Sequence, residues 1–211
     1  MKKFDDSFRI NGIKLIAGVD EAGRGPLAGP VVAASVIFSP VEFIEGVNDS
    51  KKLKEDERDK YYSLIINKAL AYSVSVIQHN EIDEINILQA SLKAMKNSVN
   101  DLSIKPDLIL IDGNNVFHSD LKTKAIVKGD SKSFSIAAAS ILAKVMRDKI
   151  MKELDEEYPV YNWKQNKGYP TKFHIRTIRE SGISPYHRLT FLKKILPDAA
   201  DIQLQFSDER S

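Results

Sequence analysis

At 211 residues the chain is long enough to bury one good core and short for two. Its 43% hydrophobic and 28% charged content is that of a soluble globular protein, and the lack of cysteine excludes a disulfide framework and a thiolate metal site. The net charge of +2 hides an asymmetry: Lys and Arg against Asp and Glu number 14 to 15 in residues 1–105, 16 to 7 in residues 121–196, and 1 to 4 in the last 15. A basic stretch beside an acidic site suits a polyanionic ligand, although a solvated helix face explains most charge runs.

The N-terminus, Met1-Lys2-Lys3-Phe4-Asp5-Asp6, has lysines but no apolar run behind them, so no secretory signal is expected. No stretch has the length of a membrane span. A cytoplasmic, monomeric protein is expected. Two apolar runs, Ile13–Val19 and Val31–Phe38, predict strands separated by a Gly- and Pro-rich connection. A charged helix follows over about Lys54–Ala71, with Tyr61, Leu64, Ile65 and Leu70 as its stripe. Ser73–Ile77 reads as a third strand and Ile82–Asn97 as a second helix. Pro106 leads into a strand at Leu108–Ile111, and Ala125–Val127 is a short fifth strand. The longest helix is predicted from just after Asp130 to about Glu157, where Pro159 stops it. Its Ala- and Ser-rich start suits close packing on a sheet. Shorter helices are predicted near Thr171–Ser181 and Tyr186–Ile195. Residues 197–211 form an acidic tail of weak pattern.

Four carboxylates stand at or just beyond these strands: Asp20, Glu21, Asp112 and Asp130. Glycine accompanies each group, as Gly23, Gly113 and Gly129. Strand ends followed by glycine are where open α/β sheets place their chemistry. Gathered carboxylates repel, and a hard divalent cation with oxygen ligands relieves the repulsion. Singly, each Asp reads as a turn former, and Asp130 as the cap of the long helix. Asp20 and Glu21 are neighbours and point to opposite faces of a regular strand. Both side chains reach one site only if the strand breaks; otherwise Glu21 offers its backbone carbonyl. The four histidines, at 79, 118, 174 and 187, lack metal-ligand spacing, and Trp163 reads as a packed anchor.

The surrounding words carry a resemblance. Asp20-Glu21-Ala22-Gly23-Arg24-Gly25-Pro26-Leu27-Ala28-Gly29-Pro30 is similar to the signature of type 2 ribonucleases H, in particular bacterial ribonuclease HII. Asp49-Ser50-Lys51-Lys52-Leu53, Ile111-Asp112-Gly113, Lys128-Gly129-Asp130, the run Ser135–Lys144, Lys167-Gly168-Tyr169-Pro170-Thr171 and Ser184-Pro185-Tyr186-His187-Arg188 follow in the family's order. Arg24 between its two glycines, and only about a dozen residues before the first strand, side with HII rather than HIII.

The resemblance implies a ribonuclease H-like α/β fold: a central mixed five-stranded sheet flanked by helices, with a helical C-terminal part over about 158–196 of one catalytic domain, 1–196. It implies an endoribonuclease that cuts the RNA strand of RNA–DNA hybrids, and 5′ of ribonucleotides embedded in duplex DNA, leaving a 3′-hydroxyl and a 5′-phosphate. Its role would be removal of ribonucleotides and RNA primers. Two Mg²⁺ or Mn²⁺ ions would sit on Asp20, Glu21, Asp112 and Asp130, one activating water and one stabilising the leaving oxygen. Gly23, Arg24 and Gly25 would contact the ribose and its phosphate, Tyr169 the deoxyribose after the junction, and Ser50, Lys51 and Lys144 the phosphates. By its residues alone, Tyr169 is an ordinary half-buried tyrosine and Ser50 a helix cap. The rivals are another metal-dependent phosphoesterase, which would cut all-DNA substrates, and an inert hybrid-binding protein.

Overall fold

The structure, a computed structural model, describes residues 1–195; the expected acidic tail lies outside them. Strands β1 (Ile16–Ala22), β2 (Val31–Ile37), β3 (Ala71–Ile77), β4 (Leu108–Asp112) and β5 (Thr123–Ile126) form one sheet in the order β3-β2-β1-β4-β5. β1 and β2 pair antiparallel, as do β2 and β3. β4 pairs parallel with both β1 and β5, so the sheet is mixed, as expected. The helices are α1 (Lys2–Asp6), α2 (Glu55–Lys68), α3 (His79–Asn100), α4 (Phe134–Glu157), α5 (Trp163–Asn166), α6 (Lys172–Ser181) and α7 (Leu189–Ile195). No described helix is long and apolar enough to cross a membrane.

Strand alternation sorts the core into two layers. Val19, Val31, Ala33, Ile109 and Ile111 pack with Ile82, Ala90 and Ala94 of α3. Ile16, Leu108 and Leu110 face Ile136 of α4, while Ala34 and Val36 meet its Ala138, Ile141 and Leu142. The small residues at the start of α4 bring its backbone onto β1. A Cβ at Gly18 would lie 2.1 Å from the Ser135 carbonyl carbon and 2.4 Å from the Ile136 nitrogen. Gly18→Ala should therefore push α4 off the sheet, at a cost at or above about 3 kcal/mol, the upper end of ordinary overpacking. For a chain of this size that is a melting temperature lower by about 6 °C or more. A thermal melt within about 2 °C of the wild type would contradict this packing.

Several boundaries differ from expectation. β1 starts three residues later than the apolar run, because Asp107 Oδ2 accepts the backbone N–H of both Lys14 and Leu15 at 2.8 Å and removes them from the ladder. α3 starts earlier than expected and kinks at Asn86 (φ +67°), whose side chain accepts the N–H groups of Leu88 and Gln89 and caps the second segment. α1 and α5 were not expected. The helix expected from Tyr186 begins only at Leu189, since the residues before it pair with the glycine connection after β1: His187 bridges Ala28, and Arg188 N–H bonds Leu27 O at 2.7 Å. Asp83 then accepts the N–H groups of Leu189 and Thr190 and caps α7.

Candidate active site

β1 and β4 run parallel, so their carboxyl ends share one edge of the sheet. Their pairing stops at Val19–Ile111, whereas β1 continues beside β2 as far as the Ala22–Val32 pair. Asp20 and Glu21 thus lie on a strand that has outrun its β4 neighbour, and Asp112 ends β4 beside them. Asp20 follows Gly18 to the α4 face, as Asp112 follows Leu110. Glu21 has the opposite parity. The strand break set as the condition for both side chains to reach one site is absent: β1 stays regular through Ala22, and Gly23 (φ +102°) turns the chain only afterwards. At the rim of the sheet both side chains nevertheless line one cavity of about 200 Å³.

Every residue expected at the site except Asp130 lines this cavity, along with Ser140 and Arg147 of α4. Asp130 is nearby, on a tight turn at Gly129–Ser131, buried, with the Lys51 ammonium 3.6 Å from its Oδ2. It is not the cap of α4. Ser133 fills that position, its Oγ accepting the Ile136 N–H at 3.2 Å. Nor does Ser50 cap a helix: Asp49 accepts the Lys51 N–H at 2.9 Å, and the Ser50 hydroxyl pairs with that of Ser140 at 2.9 Å. Among the described residues, no three His, Cys, Asp or Glu side chains converge as a finished metal-ligand set.

The electrostatics are those of crowded acids. Asp20 is 4% exposed, and burial followed by the charges of Glu21 and Asp112 pushes its carboxyl well above the usual range. A hydrogen bond from Ser140, and the Glu21 N–H at 2.7 Å, oppose the shift. Burial raises Glu21 too, against the pull of Arg24, whose Nη1 lies 3.4 Å from Glu21 Oε1. Burial, then Asp112 and Asp49, raise Asp130. Lys51 is held up by Asp130, Asp20, Asp49 and Asp112 although burial opposes them. Lys144 is pulled down by burial, and Asp148 already holds its ammonium at 2.6 Å. Lys51 is thus the more exposed and less tightly paired of the two ammonium groups.

Two buried arginines, absent from the expected set, build the glycine loop. Arg188 donates from Nε to Gly29 O (2.9 Å), from Nη1 to Arg24 O (3.2 Å), and from Nη2 to Gly23 O (2.7 Å) and Pro30 O (3.0 Å). Arg147 donates to the carbonyls of Pro30, Lys167 and Ala28 at 3.0–3.2 Å. Burial pushes Arg188 down to about 9 and Arg147 to about 10. A signal for Arg147 existed in the sequence. It follows Ala143 by four and Ser140 by seven, on the buried stripe of α4. Nothing in the local pattern of Arg188 marked it as buried.

Tyr169 follows the left-handed pair Lys167-Gly168 and is 43% exposed at the cavity wall. A Cβ on Gly25 would lie 3.5 Å from Tyr169 Cε1, and the Arg147 guanidinium carbon is 6.0 Å from the ring centre. The loop and the ring therefore face each other across the mouth of the site.

The sequence matches the profile of the Ribonuclease HII family over residues 17–194. It is 52% identical over 193 residues to a ribonuclease HII of Clostridioides difficile, covering 92% of this chain and 76% of that one. It is 50% identical over 194 residues to a ribonuclease HII of Caldicellulosiruptor bescii, covering 92% and 94%. The fold resembles the crystal structure of the ribonuclease H2 from Pyrococcus horikoshii, with a TM-score of 0.73, 29% identity, and coverage of 90% of this chain and all of that one. With its mixed sheet and its acids at the β1–β4 edge, the chain belongs to the ribonuclease HII family and is a ribonuclease H endoribonuclease.

Proposed function

We propose that the chain cuts on the 5′ side of ribonucleotides within duplexes that also contain DNA, leaving a 3′-hydroxyl and a 5′-phosphate. The observation that carries this reading is the meeting, in one cavity, of Asp20, Glu21 and Asp112 with the Gly23-Arg24-Gly25 loop and the Tyr169 ring. The donor set suits hard divalent cations: all oxygen, buried or half-buried, mutually repelling, with Asp20 and Glu21 raised. Asp20, Glu21 and Asp112 would hold Mg²⁺ or Mn²⁺, with Asp130 contributing from the side. When bound, a pair of such ions supplies an activated water and stabilises the leaving 3′ oxygen.

The chain itself supplies recognition. The Gly23 and Arg24 carbonyls turn inward to Arg188, so the planar trans peptides send the Arg24 and Gly25 N–H groups the opposite way. Those donors suit a ribose 2′-hydroxyl, the group that separates RNA from DNA. Arg24 and Lys51, both with exposed side chains, suit the flanking phosphates. A DNA duplex with one embedded ribonucleotide, incubated with Mg²⁺ or Mn²⁺, tests the reading. Cleavage should fall 5′ of the ribonucleotide, and an all-DNA duplex should stay intact. Equal cutting of both duplexes would favour a general phosphoesterase instead.

Tyr169→Ala separates sugar sensing from catalysis. An aromatic contact of this kind is worth about 1–3 kcal/mol, or roughly five- to a hundredfold in kcat/KM. The loss should fall most on the single-ribonucleotide duplex, while metal dependence persists. The quantity to measure is the ratio of activities on that duplex and on a long RNA–DNA hybrid. An unchanged ratio in a folded variant would remove the junction-sensing role.

A further inference from the structure

We propose that His174 and His187, each fixed in one neutral tautomer, are positioning residues that hold the Tyr169 ring through its own backbone carbonyl. This rests on the junction-sensing reading of Tyr169. His187 Nδ1 accepts the Ser184 N–H at 2.9 Å, so the ring proton of a neutral His187 sits on Nε2. That nitrogen is 3.1 Å from His174 Nε2, and Trp163 Nε1–H donates to the same atom at 3.1 Å. Two donors converge on His174 Nε2, so it carries no proton. The proton of His174 is therefore on Nδ1, which donates to Tyr169 O at 3.0 Å.

The chain of donors runs in one direction, from Ser184 through both imidazoles to Tyr169, and every hydrogen is placed by its neighbours. Charging either ring would set two N–H groups against each other. Trp163 and His174 are fully buried and His187 nearly so, and burial holds both histidines below their usual range, His187 at about 3. The near end of the chain is tied to the glycine connection that continues from the Gly23–Gly25 loop: His187 bridges Ala28, and Gly29 N–H bonds Tyr186 O at 2.9 Å. The far end holds a peptide whose side chain stands in the cavity. Thr171 N–H also bonds Tyr169 O, at 2.8 Å, so loss of His174 loosens this carbonyl without orphaning it. The separation between the ribose loop and the Tyr169 ring is thus set from inside the core.

Two substitutions at one position test this. In His174→Gln the amide oxygen reaches the Nε2 position and can still accept from Trp163 and His187, but no donor faces Tyr169. In His174→Asn the amide nitrogen reaches the Nδ1 position and restores that donor. The readout is the ratio of kcat/KM on a single-ribonucleotide duplex to that on a long RNA–DNA hybrid, in variants shown folded by thermal melting. His174→Gln should shift the ratio in the direction of Tyr169→Ala by about two- to tenfold, the worth of one hydrogen bond, while His174→Asn, which keeps the donor to Tyr169 O but leaves the Trp163 and His187 N–H groups without their acceptor, should shift it less than His174→Gln does. In the wild-type protein, ¹H–¹⁵N spectra should show His187 protonated at Nε2 and His174 at Nδ1. A shift with Tyr169→Ala but none with His174→Gln would overturn the positioning role and leave the sensing role standing. Opposite tautomers would overturn it with no variant at all. If Tyr169→Ala itself leaves the ratio unchanged, the sensing role fails and this inference fails with it.

Discussion

Replacing Asp20 or Asp112 by Asn should lower cleavage by on the order of a thousandfold or more, about 4 kcal/mol of barrier, without unfolding the protein. Asn keeps the shape of the side chain, and at Asp112 it keeps an acceptor for the Gly129 N–H, which bonds Oδ1 at 2.6 Å. Each change removes one negative charge from a self-repelling group, so the metal-free variants should melt no lower than wild type, and Asp20→Asn higher. The pH dependence has a defined sign. The folded carboxyl of Asp20 is raised above its unfolded value, so its charged form costs stability at neutral pH, and the cost disappears as pH falls through the raised value. The melting advantage of Asp20→Asn should accordingly be present at pH 7 and shrink on acidification toward the ordinary carboxylate range. Mg²⁺ or Mn²⁺ should raise the melting temperature of wild type and do so less in either variant, because only binding to the folded form stabilises it. Near-wild-type turnover in either variant would remove the residue from the metal site. An Asp20→Asn protein that melts lower without metal would refute the repulsion.

What the sequence disclosed follows from how local each signal is. β2 was legible because both of its faces are buried, which writes an unbroken apolar run from Val31 to Ile37. The end of α4 was legible because Pro159 stands just beyond it. β1 was misplaced because its last residues owe their strand geometry to Ala34, Ala33 and Val32 on β2, and its expected first residues are claimed by Asp107 across the sheet. Neither partner is near in sequence. The acids of the site were legible because glycines and strand ends mark them. Their geometry was not, since Glu21 reaches the cavity by lying past the last β1–β4 pair rather than by a break in β1.

The same distinction explains the histidines and arginines. A search for metal-ligand spacing has nothing to say about His174 and His187, which meet only because α6 and the Ser184–Arg188 turn fold back on Trp163. Arginines in a basic C-terminal half read as phosphate contacts. Arg147 and Arg188 instead spend their charge inside the protein, on carbonyls that a tight glycine connection cannot pair with itself. The basic character of residues 121–196 therefore overstates the charge offered to nucleic acid by at least these two side chains.

Arg188 provides the second large effect. Its guanidinium makes four hydrogen bonds to the carbonyls of Gly23, Arg24, Gly29 and Pro30, and no carboxylate among the described residues lies within ion-pairing distance of it. Arg188→Ala would leave those carbonyls buried without their donor and open a cavity beside Leu27 and Gly29. Losses of that kind cost about 3–5 kcal/mol, a fall in melting temperature of roughly 10 °C for a chain of this size. Arg188→Lys keeps the charge but has three donors on one nitrogen in place of a planar fork, so it should recover only part of the loss. Activity should fall further than stability in both variants. On the proposed reading the Arg24 and Gly25 N–H groups meet the ribose, and Arg188 sets their orientation through the carbonyls of the same two peptides. Assays at a temperature where circular dichroism shows each variant folded would separate the two effects. Arg188→Lys with wild-type melting and wild-type activity on the single-ribonucleotide duplex would show that the loop holds its shape without the fork.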